Sequence, residues 1–352
     1  MSDTRVIAVA IDVIKPHPNA DRLDLATIGG YTTIVGKGEF QPGDIVSFFP
    51  PDILIPESIA TQLGVVKYLK SAVYPGDTTK TNCRVAATRL RGVPSFGFVC
   101  KVTAAVGTDL TEQYRAVKYE PPEPLWFALI GDAKASGPKF HVYTDVENYR
   151  NSRFKGAFET GLPVRVTEKI HGTNSRVALL DGEFHCGSHN CNKKEYAKDS
   201  DKRSVYWNPL TEDMKALLSS FDKDVIVFGE IFGNKIQFMD YGIIGYGGYR
   251  VFDISVNGQY LNWGEVESVC RQFNIQTVPL LYLGPFYDGL VESLVDGPTT
   301  IVVPEQIKSS FKGREGIVIT PLFETYSDIM GGRLIAKAVS CDYLDKRKSD
   351  SH

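Results

Sequence analysis

This chain has no hydrophobic run long enough to cross a membrane. The N-terminal stretch Val6-Ile7-Ala8-Val9-Ala10-Ile11 is far too short and is broken by Asp12. No charged-then-apolar signal segment precedes it. Cysteine is sparse: six residues, Cys83, Cys100, Cys186, Cys191, Cys270 and Cys341, are scattered along 352 positions. That spacing argues against a disulfide scaffold and for free thiols in a reducing compartment, so an intracellular location, cytoplasm or nucleus, is expected. An excess of either charge is also missing. Lys and Arg total 39 against 42 Asp and Glu, for a net charge of -3, so global charge neither supports nor excludes a nucleic-acid partner, which needs only a local basic surface. There is no internal repeat and no low-complexity tract.

What is present is ordinary for a soluble globular protein of about two domains: 43% hydrophobic and 23% charged residues over 352 positions. Residues 1–110 read as all-β. Short runs such as Thr32-Thr33-Ile34-Val35-Gly36 and Asp44-Ile45-Val46-Ser47-Phe48-Phe49 alternate with the turns Gly29-Gly30, Gln41-Pro42-Gly43-Asp44 and Pro50-Pro51-Asp52. Close spacing of short strands predicts a small barrel. Residues 111–140 lose regularity, and Pro121-Pro122-Glu123-Pro124 and Lys134-Ala135-Ser136-Gly137-Pro138 mark a linker. Residues 141–352 mix apolar strands with helix-like spacing at Leu210 to Phe221 and Trp263 to Phe273. This predicts an α+β domain with largely antiparallel sheets.

The most informative run is Thr167-Glu168-Lys169-Ile170-His171-Gly172-Thr173-Asn174. It follows the alternating stretch Leu162-Pro163-Val164-Arg165-Val166, so Lys169 sits at a strand end with glycine and small polar residues after it. That arrangement holds an amine where a phosphate can approach closely. Four further segments follow in order: His185-Cys186-Gly187-Ser188-His189-Asn190; Val225-Ile226-Val227-Phe228-Gly229-Glu230 with Val251-Phe252-Asp253-Ile254; Glu315-Gly316-Ile317-Val318-Ile319; and Arg333-Leu334-Ile335-Ala336-Lys337-Ala338-Val339-Ser340. Each ends or interrupts an apolar run, as pocket-lining residues on strands do. Nucleotidyl transfer to lysine needs a neutral amine, whereas lysine ordinarily titrates near ~10.4. Partial burial and a neighbouring cation such as Lys337 lower that value. Phosphates need charge neutralisation by a divalent metal and basic side chains. Glu230 and Glu315 suit ribose hydroxyls and metal-bound water, and Phe252 suits the apolar slot of a base.

Other signals are weaker. His185, Cys186, His189 and Cys191 lack the spacing of a regular zinc site. Gly245-Tyr246-Gly247-Gly248 lacks the Lys-Ser/Thr of a P-loop and reads as a turn. Residues 193–203 mix both signs of charge and read as a solvated loop.

The ordered segments resemble motifs I, Ia, III, IIIa, IV and V of the covalent lysyl-nucleotidyltransferases: RNA ligases, DNA ligases and mRNA capping enzymes. The His of Lys-x-His-Gly resembles the RNA ligase branch. The resemblance implies an ATP-grasp-like ligase domain with Lys169 as the nucleophile that carries AMP and Glu168 near the adenine. It implies His171 for passing AMP to the RNA 5′-phosphate and Asn174 in the nucleotide pocket. Glu230 would meet the ribose and, through water, the metal; Phe252 would stack on the base; Glu315 would hold the metal; Lys337 would contact the α-phosphate. Two positions depart from the pattern. His189 stands where motif Ia usually has Arg, and Ile335-Ala336-Lys337 stands where motif V often has Lys-x-Lys. Arg333 would compensate if its strand is regular.

A second resemblance covers the N-terminal part. Pro16-His17-Pro18-Asn19-Ala20-Asp21-Arg22-Leu23, Gly29-Gly30, Pro42-Gly43-Asp44 and Arg89-Leu90-Arg91-Gly92-Val93-Pro94-Ser95-Phe96-Gly97 resemble the OB-fold tRNA-binding domain of some tRNA synthetases. Such a domain binds oligonucleotides, and Arg84, Arg89, Arg91 and Arg333 are the candidate RNA contacts. DNA ligases and capping enzymes carry a second OB-fold after motif V, whereas only residues 338–352 follow Lys337 here. The whole chain therefore resembles the ATP-dependent RNA ligases with an N-terminal OB domain, the RNA ligase 5 family. This implies ATP, Mg²⁺ or Mn²⁺, an RNA or RNA-containing duplex as partner, and a monomer that joins 3′-OH to 5′-phosphate ends at nicks. The alternatives are a GTP-using capping-type guanylyltransferase and a non-enzymatic tRNA- or RNA-binding protein.

Overall fold

The computed structural model describes residues 5–119, 132–135, 137–151, 154, 156–197, 201–233, 236–237, 239, 241–243, 247–302, 307 and 311–344. Several sequence features lie outside them: Pro121-Pro122-Glu123-Pro124 and Ser136 of the expected linker, residues 198–200 of the charged loop, and Gly245-Tyr246. The chain divides into two compact units.

The first unit contains β1 (Ile7–Ala10), β2 (Val13–Pro16), β3 (Leu23–Ile28), β4 (Tyr31–Gly36), β5 (Ile45–Phe49), β6 (Ile53–Leu54), α1 (Glu57–Gln62), β7 (Lys70–Val73), β8 (Lys80–Arg84), β9 (Thr88–Leu90), β10 (Val93–Ser95), β11 (Phe98–Lys101) and β12 (Val117–Lys118). All its named strand pairs are antiparallel. In β3 and β4 strict alternation buries Asp24, Ala26 and Ile28 on one strand and Tyr31, Thr33 and Val35 on the other, the period of a half-buried strand. Arg91 and Gly92 both take positive φ, 49° and 85°, so the two-residue link between β9 and β10 is the tight hairpin turn that suits strand twist and favours glycine. The Pro16–Asn19 turn clamps this hairpin. His17 Nε2 lies 3.1 Å from the Leu90 carbonyl, and Asn19 Nδ2 donates to the Arg91 carbonyl at 2.9 Å. The unit runs past residue 110, because Tyr114 and Ala116 are buried in its core and β12 pairs with β6. It also takes in described residues of 147–155, including β14 (Glu147–Asn148).

The second unit holds β13 (Ala133–Lys134), β15 (Pro163–Lys169), β16 (Thr173–Leu180), β17 (Glu183–Ser188), β18 (Asn192–Lys193), α2 (Glu212–Ser219), β19 (Val225–Phe232), β20 (Gly248–Val256), β21 (Gln259–Tyr260), α3 (Trp263–Gln272), β22 (Leu280–Pro285), α4 (Leu290–Leu294), β23 (Gly316–Pro321), β24 (Tyr326–Ser327), β25 (Gly332–Arg333) and β26 (Ala336–Val339). One antiparallel sheet has the order β13-β18-β17-β16-β19-β20-β21, and a second runs β26-β23-β15-β22. The helices begin where capping chemistry puts them. The Thr211 hydroxyl accepts from the Met214 amide at 3.2 Å ahead of α2, and Asn262 and Glu265 form a reciprocal capping box on α3. Met214, Leu217 and Leu218 of α2 and Trp263, Val266 and Cys270 of α3 face the core behind the first sheet. Each large side chain buried there contributes about 1.5–3 kcal/mol. All six cysteines are free thiols. No described helix is long and apolar enough to span a membrane.

Candidate active site

The two sheets of the second unit enclose a cavity of about 300 Å³, at the lower end of the range for small-molecule sites. Its walls follow from strand periodicity. On β15, Arg165, Thr167 and Lys169 share one parity and all line the cavity, while Val164 and Val166 point the other way into the core. Across the sheet, Thr320 lies opposite Arg165, Val318 opposite Thr167, and Lys337 opposite Val318. All three line the cavity. From the other sheet come Asn174 of β16 and Glu230 of β19, directly paired to each other. Phe252 enters through a bulge. Phe228 pairs with Asp253 and Gly229 with Val251, leaving Phe252 as the extra residue of β20. A bulge re-aims a side chain, and this ring sits edge-on to Tyr143, centroids 4.9 Å apart. His189, in the bend after β17, completes the lining.

Lys169 Nζ donates to Glu315 Oε2 at 2.8 Å. His171 lies behind this pair, with Nδ1 3.8 Å from the same carboxylate oxygen and 3.1 Å from the Tyr343 hydroxyl. Its backbone N–H donates to the Tyr241 hydroxyl at 2.8 Å. A Tyr343 hydroxyl donating to Nδ1 puts the proton of the neutral ring on Nε2. Glu168 is almost completely enclosed. Its carboxylate accepts from the Thr299 hydroxyl at 2.5 Å and from the Thr300 amide and hydroxyl, both at 2.7 Å, so its charge is met by three donors.

Glu230 titrates far from its ordinary range. Burial pushes its carboxyl up to about 8, Glu315 adds to the rise, and Lys169 and the Gly172 amide oppose it. The folded protein therefore keeps this proton at pH values where the unfolded chain, near 4.5, has lost it. Stability must fall as pH rises from about 4.5 to about 8. A tenfold change in proton affinity is worth about 1.4 kcal/mol, so the expected loss is a few kcal/mol. Glu230→Gln should remove this slope, melting above the wild type at pH 8 and level with it near pH 5; parallel melting curves at both pH values would refute the assignment.

The cavity wall suits a nucleotide. Asn174 Oδ1, Thr320 Oγ1 and Arg165 Nε are buried polar atoms with no hydrogen-bond partner among the described residues. No described group of three or more His, Cys, Asp and Glu side chains is placed to hold a metal by itself, and the region of His185, Cys186, His189 and Cys191 forms no such cluster. Glu315 remains as the carboxylate for a divalent cation, and protonated Glu230 would meet it only through a bound water. That is the donor set by which Mg²⁺ is commonly held together with waters and substrate phosphates.

Arg333 does not stand in for the missing motif V lysine. Its strand is irregular: Arg333 belongs to β25, the Ile335 amide turns back to the Arg333 carbonyl, and β26 starts only at Ala336. The guanidinium is bound by Glu324 and by Asp253, the latter at 2.8 Å, and stacks on Tyr260 at 3.5 Å. It is thus neither a cavity residue nor an available RNA contact. In the first unit, Arg84 pairs with Asp52 at 2.6 Å and stacks on Tyr119 at 3.7 Å. Arg89 and Arg91 are exposed on the β9–β10 hairpin, where Arg89 Nη1 donates to the Gly92 carbonyl.

Sequence reasoning missed Thr299, Thr300, Tyr241 and Tyr343, which reach the motif I run from distant segments. It also passed over Arg165, although a basic residue between two valines and on the parity of Lys169 was a readable sign.

Two antiparallel sheets closing on a strand-end lysine define a nucleotidyltransferase domain of the RNA ligase type, and an OB-fold precedes it. The chain belongs to the RNA ligase family, whose sequence model matches residues 162–339; an OB-fold domain model matches residues 6–102. A search of curated protein sequences finds no match. Among solved structures, the chain is similar to the RNA ligase of Naegleria gruberi. A mutant of that enzyme with ATP and Mn superposes with a TM-score of 0.77 at 23% identity, covering 97% of this chain and 99% of that one. A form with PPi gives 0.76 at 24% identity, covering 99% of each chain. A mutant with AMP and Mn gives 0.77 at 23%, covering 98% and 99%.

Proposed function

We infer that this protein is an ATP-dependent RNA ligase that seals 3′-OH and 5′-phosphate ends, at nicks in duplexes, through a lysyl-AMP intermediate. The observation that carries this reading is the convergence of Lys169, Glu230, Phe252 and Lys337, from four strands of two sheets, on one cavity. The Naegleria gruberi ligase solved with ATP and Mn and with AMP and Mn supports the choice of nucleotide and metal.

In the first step the Lys169 amine attacks the α-phosphorus of ATP. A P–N bond forms, the bond to the β-phosphate oxygen breaks, and pyrophosphate leaves. In the second, a 5′-phosphate oxygen of RNA attacks the same phosphorus, the P–N bond breaks, and the lysine amine is regenerated. In the third, the 3′-OH attacks the 5′-phosphorus and AMP leaves. Lys337 lies where it can meet phosphate charge, Phe252 and Tyr143 form the aromatic wall for the base, and protonated Glu230 can donate to a ribose hydroxyl. The Glu315 carboxylate beside Lys169 favours the ammonium, which is not nucleophilic. A divalent cation held by Glu315 would neutralise phosphate charge and compete with Lys169 for that carboxylate. Arg89 and Arg91 of the OB-fold hairpin are the RNA-facing cations of this reading.

The test is incubation with α-labelled ATP or GTP and Mg²⁺ or Mn²⁺, read by intact mass. One added AMP is expected. Labelling by GTP alone would replace this reading with a capping-type guanylyltransferase, and no adduct with undiminished RNA affinity would replace it with a binding protein. The second step offers a finer check. Tyr343→Phe removes one hydrogen bond to His171, worth about 1 kcal/mol. It should slow AMP transfer to the RNA end roughly fivefold in single-turnover assays while changing adduct formation little. Equal slowing of both steps would show that Tyr343 serves the fold and not the His171 ring.

A further inference from the structure

Arg165 has an environment no other cation of the cavity shares. It is 4% exposed between Val164 and Val166, both at 0%, and it lines the cavity. Its Nε is buried with no hydrogen-bond partner, and the guanidinium stacks on the Trp263 ring at 3.9 Å. Burial holds its pKa below the usual arginine value, against the pull of Asp253. Asp253 does not satisfy it: one oxygen of that carboxylate takes the Tyr143 hydroxyl and Arg333, both at 2.8 Å. Arg333 shows what a structural arginine looks like in this neighbourhood, with two carboxylates and an aromatic face. Arg165 has only the aromatic face. Directly across the sheet, Thr320 is 3% exposed, and its hydroxyl is also buried and unpartnered.

A buried cation without a partner costs several kcal/mol, so ligand contacts are the natural compensation. Its place in the cavity indicates which contacts. Arg165 is four residues before Lys169 on one strand and of the same parity, about 13 Å along the chain at strand rise. It shares the cavity wall with Tyr143, whose ring meets Phe252. With an α-phosphate at Lys169, this end of the cavity receives the base. A guanidinium only donates, and a threonine hydroxyl both donates and accepts. Adenine offers ring-nitrogen acceptors beside an exocyclic amine donor.

We propose that Arg165 and Thr320 read the nucleobase, the guanidinium donating to a ring nitrogen of adenine and the Thr320 hydroxyl accepting from the exocyclic amine. This rests on the lysyl-AMP reading for the direction of the nucleotide, yet it is tested separately through binding. The experiment compares ATP with 1-deaza-, 3-deaza- and 7-deaza-ATP on wild type, Arg165→Met and Arg165→Lys. Thermal shift and the KM and kcat of adduct formation are the readouts. A hydrogen bond to a charged donor is worth about 1.5–3 kcal/mol, so one deaza analogue should bind wild type about tenfold or more weakly than ATP. Arg165→Met should bind that analogue and ATP alike, with the change in KM and not kcat. Arg165→Lys keeps the charge in the strand if the methionine variant does not fold, and it should lose most of the discrimination. Wild type that treats all four nucleotides equally, or variants that keep the wild-type ranking, would overturn the proposal. Nucleotide binding without any adduct would count against the ligase reading and leave the ranking to judge Arg165.

Discussion

Lys169→Ala is expected to abolish AMP attachment completely while leaving the fold intact. The side chain is 27% exposed and that of its ion-pair partner Glu315 is 12%; losing one partner of such a mostly buried pair costs about 1–3 kcal/mol, so the melting temperature should fall modestly while the protein stays folded. The chemical loss is of another order. The other described side-chain nitrogen near this carboxylate, His171 Nδ1 at 3.8 Å, lies behind it against the Tyr343 hydroxyl, and without the Lys169 amine no P–N bond forms. Intact mass should show no adduct, and RNA joining from ATP should fall below detection. An RNA already carrying AMP on its 5′-phosphate should still be joined, because the third step uses Lys169 only as a neighbour. An adduct that persists in the alanine variant would move the nucleophile, with Lys337 on the same wall as the first residue to map.

The local parts of this site were legible because strand alternation and capping are local. The valines flanking Arg165 put Lys169 at a strand end, and the spacing at Trp263 to Phe273 matched α3 (Trp263–Gln272) closely. The apolar runs before Glu230 and after Glu315 became β19 and β23. What could not be read was contact across long separations. Thr299 and Thr300 meet Glu168 from 131 and 132 residues away, and Tyr343 meets His171 from 172; nothing in Thr299-Thr300 announces a carboxylate partner. Arg333 misled for a physical reason. Regular alternation would have put it on the face of Lys337, but the chain turns between Arg333 and Ile335, and two carboxylates take the guanidinium instead. The edge of the first unit lay beyond local reading in the same way, since Tyr114 is buried against Phe49 and Ser47 of β5, far away in sequence.

Gly172→Ala should damage both the site and the fold, and the reason is contact distance. A Cβ at position 172 would lie 2.1 Å from the Ile231 carbonyl oxygen and 3.0 Å from Glu230 Cγ. The oxygen belongs to the backbone of β19, where Ile231 pairs with Thr173, so no side-chain rotation relieves the clash. The first rung between β16 and β19 must open, moving the Lys169–His171 segment away from Glu230. The Gly172 amide, which helps hold the Glu230 carboxylate, moves with it. Overpacking of this kind costs about 1–3 kcal/mol, and a displacement near 1 Å in a reacting group costs about a hundredfold in rate. Gly264→Ala is the matched control. It lies in α3 with nothing within 4 Å of the new Cβ, and it carries the same entropic gain of replacing glycine in the unfolded chain, with a helix propensity benefit of up to about 1 kcal/mol. The control should melt at or above the wild-type temperature and form the adduct at the wild-type rate. Gly172→Ala should melt lower and form the adduct about a hundredfold more slowly. If the two variants behave alike, the close approach of β19 is not what requires glycine after the motif I histidine.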